Sequence, residues 1–166
     1  ALASWLFMKH FTSPDQQAYW AEKSGYFPAD SYKNADLILL NTCSIRDNAE
    51  ETVHRKLENI AYLKQKDPKK MIGVLGCMAQ NLKNNLLESK PYVDIILGPD
   101  SYRNIPDLLK ARKNTNGHVV DTKLSKFEVY DNLFPNRKTG VNAWVSIMRG
   151  CDKFCTFCIV PFTRGR

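Results

Sequence analysis

Three short apolar runs, Ala35-Asp-Leu-Ile-Leu-Leu40, Met71-Ile-Gly-Val-Leu75 and Tyr92-Val-Asp-Ile-Ile-Leu97, constrain this chain more than any other feature. Each is bounded by turn residues and too short for a core helix, so each reads as a buried strand. The chain between them has helical periodicity. Ala49, Val53, Leu57, Ile60 and Lys64 fall on one face, which predicts an amphipathic helix through about Lys66. Asp67-Pro-Lys-Lys70 breaks that helix, and Gly76-Cys-Met-Ala79 turns into another through Glu88. Gly98-Pro99 makes a turn, and Ile105 to Arg112 forms a further helix. Upstream, Ser13-Pro-Asp-Gln16 is a helix start, with Ser13 as N-cap and Gln16 closing a capping box, and Gly25 supplies the stop. Strands alternating with helices of crossover length predict an α/β fold, a parallel sheet flanked by helices.

That topology gives meaning to two cysteines. Cys43 and Cys77 each lie just past the carboxyl end of a predicted strand. In open α/β sheets this edge is where ligands bind, so two thiols distant in sequence can meet there. The bland reading makes both of them small buried apolar residues.

The other three cysteines share one loop, Cys151-x3-Cys155-x2-Cys158. Three thiolates so spaced can hold three corners of a cubane iron–sulfur cluster, leaving a fourth iron open to substrate. A structural zinc site needs four ligands, and no second pair follows; the nearest histidine, His118, lies far upstream. Disulfides inside so tight a loop would be strained. An odd count of five cysteines, three of them clustered, points to a reducing compartment. His10, His54 and His118 have no motif context and read as surface or local structure.

The pattern weakens between about Asn114 and Gly140, where Asn-Thr-Asn-Gly, Phe-Pro-Asn-Arg and Lys-Thr-Gly are turn-like. This stretch is expected to connect two units, with one short strand near His118–Val120. Val141 to Met148 alternates, with Val141, Ala143, Val145 and Ile147 on one face, as the first strand of a second domain would. The cysteine loop then sits at that strand's carboxyl end, where (β/α) barrels place their chemistry. The expected division is an α/β domain over 1–120, a connection over 121–140 and the start of a truncated barrel over 141–166. No apolar run approaches the length of a membrane span. Net charge is +7 and unevenly spread. Residues 1–99 hold twelve Lys/Arg against eleven Asp/Glu, or +1, and residues 100–166 hold twelve against six, or +6. An excess beside the cysteine loop fits a polyanionic substrate as readily as a solvated basic surface.

The loop and its flanks carry a resemblance. Cys-x3-Cys-x-Phe-Cys is similar to the radical S-adenosylmethionine (SAM) signature. Ser-Ile-Met-Arg-Gly-Cys151 before it and Ile-Val-Pro-Phe-Thr-Arg-Gly-Arg166 after it resemble the MiaB family of tRNA methylthiotransferases. Asn41-Thr-Cys-Ser-Ile-Arg-Asp-Asn-Ala-Glu50, Gly73-Val-Leu-Gly-Cys-Met-Ala79 and Leu97-Gly-Pro-Asp-Ser-Tyr-Arg103 resemble that family's N-terminal domain. The resemblance implies two [4Fe–4S] clusters. One, on Cys151, Cys155 and Cys158, would bind SAM and cleave it to a 5′-deoxyadenosyl radical, with Phe157 bordering the adenine. The auxiliary cluster would sit on Cys43, Cys77 and a third cysteine. Phe7 stands at the third position, so the auxiliary set is one thiolate short.

The implied product is 2-methylthio-N6-isopentenyladenosine beside the anticodon. The implied setting is a cytoplasmic monomer with tRNA as partner and an external electron donor. Other readings remain: a methylthiotransferase for threonyl-carbamoyl adenosine or for a ribosomal protein, or a non-catalytic remnant. With only the first barrel strand present, the chain is expected to be an inactive fragment.

Overall fold

The computed structural model describes residue 29 and residues 31–44, 47–115, 117–125 and 148–165. The expected helix at Ser13, the position of Phe7 and all but the last residue of the expected strand Val141 to Met148 lie outside the described residues, and Met148 itself is not in a strand.

Four strands form one parallel sheet in the order β1-β2-β3-β4: β1 (Leu37–Thr42), β2 (Met71–Gly76), β3 (Ile95–Leu97) and β4 (Val119–Asp121). Register runs from Leu37 opposite Met71 to Thr42 opposite Gly76, then Gly73 opposite Ile95 and Ile95 opposite Val119. The parallel sheet with flanking helices is the architecture that the alternation predicts. Side chains alternate between the two faces, and each face is covered. Ile38, Ile72, Val74 and Ile96 pack with Leu57 and Ile60 of α1 (Asp47–Lys66). Leu75, Ile95 and Leu97 pack with Ile105 and Leu109 of α4 (Ile105–Asn114). Burial on both faces explains why the strands read as continuous apolar runs.

Three boundaries differ from expectation. Strand β1 begins at Leu37 and runs through Thr42, two residues later than the apolar run. The polar pair at its end is recruited by specific bonds. The Thr42 hydroxyl donates to Leu75 O at 2.6 Å, and Asn41 Oδ1 accepts from the Tyr102 hydroxyl at 3.3 Å. The single helix expected through Glu88 is two helices, α2 (Cys77–Leu82) and α3 (Asn84–Ser89). They part at Lys83, whose positive φ of 46° is incompatible with a continuous right-handed helix. Strand β3 spans three residues, although the preceding Asp94 still bonds to both neighbours through its backbone, its N–H donating to Ile72 O and its carbonyl accepting the Val119 N–H, each at 2.8 Å.

Asp94 is a buried hub. Its carboxylate pairs with Lys64 of α1 and, at 2.8 Å, with Arg112 of α4, and it accepts the Ile72 N–H at 2.8 Å. Lys64 also donates to Tyr92 O at 3.1 Å. The lysine on the apolar face of α1 therefore ends that face with a charge that reaches into the fold. One carboxylate ties together two helices on opposite faces and the strand between them. Burial pushes the Asp94 pKa up, but the Lys64 ammonium, the Ile72 amide and the Arg112 guanidinium outweigh it and hold it below the usual carboxylate value.

The 3-10 turn Pro99–Asn104 follows β3, and α5 (Val160–Arg164) closes the described chain. Among the described residues no helix is long and apolar enough to cross a membrane.

Candidate functional site: the carboxyl edge of the sheet

All four strands point the same way, so their carboxyl ends share one edge. Cys43 leaves β1 there, half-buried, and Cys77 leaves β2 as the first residue of α2, buried. The turn between β2 and α2 depends on Gly76. Its φ of 97° and ψ of −155° belong to a region nearly closed to side-chain-bearing residues. A Cβ there would sit 2.4 Å from Thr42 O and 2.8 Å from Asn41 Oδ1. The glycine thus lets the end of β2 approach the end of β1, and so brings the two cysteines to neighbouring positions. Past Cys43, Ser44 donates to the Glu50 carboxylate of α1 and accepts from Asn81 Nδ2 of α2 at 3.2 Å. The loop carrying Cys43 is therefore pinned to the helix that begins with Cys77.

The C-terminal segment lies at the same edge. Its helix α5 packs on α2. Thr163 is buried, and its hydroxyl and the Arg164 side chain approach the Cys77 sulfur. Burial pushes the Cys77 thiol up, the Arg164 cation pulls it down, Cys43 nearby pushes it up, and the bonds from Thr163 and Arg164 favour the thiolate. Burial prevails, so the lone thiol is held neutral beyond its ordinary range.

The same segment is pinched at its base. The Cys151 N–H donates to Gly165 O at 3.0 Å, and a Cβ on Gly150 would lie 1.9 Å from that oxygen. Just outside the pinch, Arg149 pairs with Asp100 at 3.1 Å and donates to Ser125 O at 2.8 Å. Asp100 in turn accepts the Ser125 N–H at 2.6 Å.

Within the loop, Cys151 and Cys158 are half-buried, Cys155 is exposed, and all three are free thiols. The Cys158 N–H donates to Cys155 O at 3.0 Å, which forms the turn between them. Phe154 holds a φ of 48° and meets Phe162 edge-on at 6.0 Å, while Phe157 is 92% exposed. Three soft donors in one short loop suit an iron–sulfur cluster in chemistry. Among the described residues, no three His, Cys, Asp or Glu side chains converge tightly enough to hold a metal ion. Of the expected site residues, the structure brings Cys43 and Cys77 to one place. It leaves Cys151, Cys155, Cys158 and Phe157 in a separate loop attached at the same edge. His118 has a local role, its Nδ1 2.8 Å from Val93 O.

Sequence reasoning missed Thr163, Arg164, Asp100, Arg149 and Ser125. The signal for Arg149, Thr163 and Arg164 lay in the flanks of the cysteine loop, where Arg149 and Arg164 stand beside the two glycines of the pinch, whereas Asp100 and Ser125 lie far from it in sequence.

Residues 14–98 match the family described as Uncharacterized protein family UPF0004. A tRNA-2-methylthio-N(6)-dimethylallyladenosine synthase of Amoebophilus asiaticus is 49% identical over 144 residues, 86% of this chain and 29% of the relative. Proteins of the same name from Flavobacterium johnsoniae and Chloroherpeton thalassium are 45% and 46% identical. The first covers 95% of this chain and 33% of the relative, the second 86% and 32%. The chain thus spans about a third of the length of the curated relatives it matches. It belongs to family UPF0004, and its resemblance to the MiaB-type tRNA methylthiotransferases, first carried by motifs, extends over most of its length.

Proposed function

We propose that this chain supplies the two cysteine groups of a radical SAM methylthiotransferase that adds a methylthio group to N6-isopentenyladenosine in tRNA. The single observation that supports this most is the packing of α5, which follows the cysteine loop, on the helix that begins with Cys77. It sets two groups of thiols at one edge of one fold, as a reaction needing two iron–sulfur centres requires. Cys151, Cys155 and Cys158 would hold one [4Fe–4S] cluster, and metal binding would gather thiols that stand apart without it. When bound, such a cluster with one iron free of protein ligands supplies the electron, taken from an external donor, that cleaves SAM. Phe157, exposed beside Cys158, would border the SAM adenine. Cys43 and Cys77 would hold the auxiliary cluster, with Phe7 in place of its third thiolate. Arg164 would offset the negative charge gathered at Cys77. The basic excess of residues 100–166 would meet the tRNA phosphates.

Anaerobic reconstitution with iron and sulfide tests this reading. The expected product is brown protein with about four irons for the loop cluster. Cys155→Ala should remove that share of the iron. One zinc and no sulfide per chain would sink the proposal.

A further inference from the structure

Besides the packing of α5 on α2, the C-terminal segment is tied to the residues that follow β3 through one carboxylate. Asp100 stands in the 3-10 turn after β3, its side chain 2% exposed, and faces Arg149, 16% exposed. It also holds the Ser125 N–H, while Arg149 donates to Ser125 O, so three residues from three parts of the chain close a ring of bonds. Arg149 is next to Gly150, and Gly150 abuts Gly165 so closely that no side chain fits between them. Gly165 in turn is next to Arg164, whose side chain approaches Cys77. The position of Arg149 is thus passed across the pinch to Arg164 through two contacts with no slack.

We propose that Asp100 is a positioning residue, which through Arg149 and the Gly150–Gly165 pinch fixes α5 over Cys77 and so sets the loop cysteines relative to the strand-end pair. This rests on the reading of the two cysteine groups as parts of one reaction centre. The ion pair is well suited to the task. Both charges are largely withdrawn from water, so loss of either leaves the other as an unpaired, desolvated charge. The backbone bonds to Ser125 fix its direction as well as its existence.

The full chain without metal provides the test, because docking is then read apart from cluster assembly. Cys77 is covered by α5 and Cys155 is exposed, so the ratio of their alkylation rates by iodoacetamide, read by peptide mass spectrometry, reports the seat. In Asp100→Asn this ratio should rise about tenfold, as a local opening equilibrium shifts. Tryptic cleavage after Lys153 should accelerate with it. The swap Asp100→Arg with Arg149→Asp should restore both, and Asp100→Glu should restore them in part. Asp107→Asn, which removes an exposed carboxylate that among the described residues pairs with Lys110 on its own helix, should change neither. An unchanged ratio in Asp100→Asn, with only a lowered urea midpoint, would reduce Asp100 to a structural residue and overturn the proposal. So would a charge swap that fails to restore protection. Iron counting on the unmodified chain judges the proposed function separately, since it can fail while the alkylation pattern holds.

Discussion

Replacing Asp94 with alanine should be among the most damaging single changes in this fold. The substitution leaves Lys64 and Arg112, only 18% and 20% exposed, facing each other without the carboxylate that separates them. It also strips the buried Ile72 N–H of its acceptor. Removing one partner of a buried pair costs roughly 3–5 kcal/mol. Both cations retain some water here, so the low end applies, about 3 kcal/mol. For a chain of this size that corresponds to a fall in Tm of roughly 6–12 °C. Urea denaturation followed by far-UV circular dichroism measures it, and double-mutant cycles with Lys64→Met and Arg112→Met apportion it between the two cations. The folded carboxyl titrates below its ordinary value, so its contribution is present at neutral pH. It is lost as the pH falls below about 4 toward the folded pKa, because the unfolded state then takes up the proton first. Asp94→Asn should therefore flatten the acid limb of the stability curve. A loss below about 1 kcal/mol in Asp94→Ala, the range of exposed pairs, would refute the argument that this pair acts as a buried one.

Gly76→Ala should cost about 3 kcal/mol, because the backbone there is nearly closed to Cβ and the new atom would strike Thr42 O; urea midpoints test it. Leu57→Ala should cost about 3 kcal/mol by opening a cavity under α1, read by the same assay with an unchanged m-value. Phe7→Cys should raise the iron retained by reconstituted protein if residue 7 belongs beside Cys43 and Cys77, and iron analysis against the unmodified chain decides it. Binding of tRNA should weaken steeply between low and high salt, with log K falling linearly in log salt; a flat response would exclude phosphate contacts as its source.

The sheet was legible because burial on both faces leaves an unmistakable apolar trace, as at Ile38, Val74 and Ile96. What escaped was carried by polar groups whose partners are distant in sequence. The end of β1 depends on Thr42 finding Leu75, and the tie between β3 and the two helices on Asp94 finding Lys64 and Arg112. Lys64 illustrates the difficulty well. Its periodicity put it on the buried face of α1, which is correct, yet nothing local to it announces the carboxylate it meets. At the site, cysteine spacing marked the donors, and strand-end placement marked the edge where Cys43 and Cys77 meet. The bonds that seat the second group, from Asp100 and Ser125 to Arg149, join segments with no periodic signature.

The pinch at Gly150 and Gly165 has a consequence for how this loop can change over evolutionary time. A segment whose two ends are stapled together by their own backbone behaves as a self-contained cassette. Between the staples, the exposed residues that are neither cluster ligands nor packed on α2 can be exchanged at little cost to the rest of the fold. The sheet beneath need not adjust, provided the ends keep their glycines. Variation should therefore be tolerated at exposed positions such as Asp152 and Lys153 and forbidden at the two glycines.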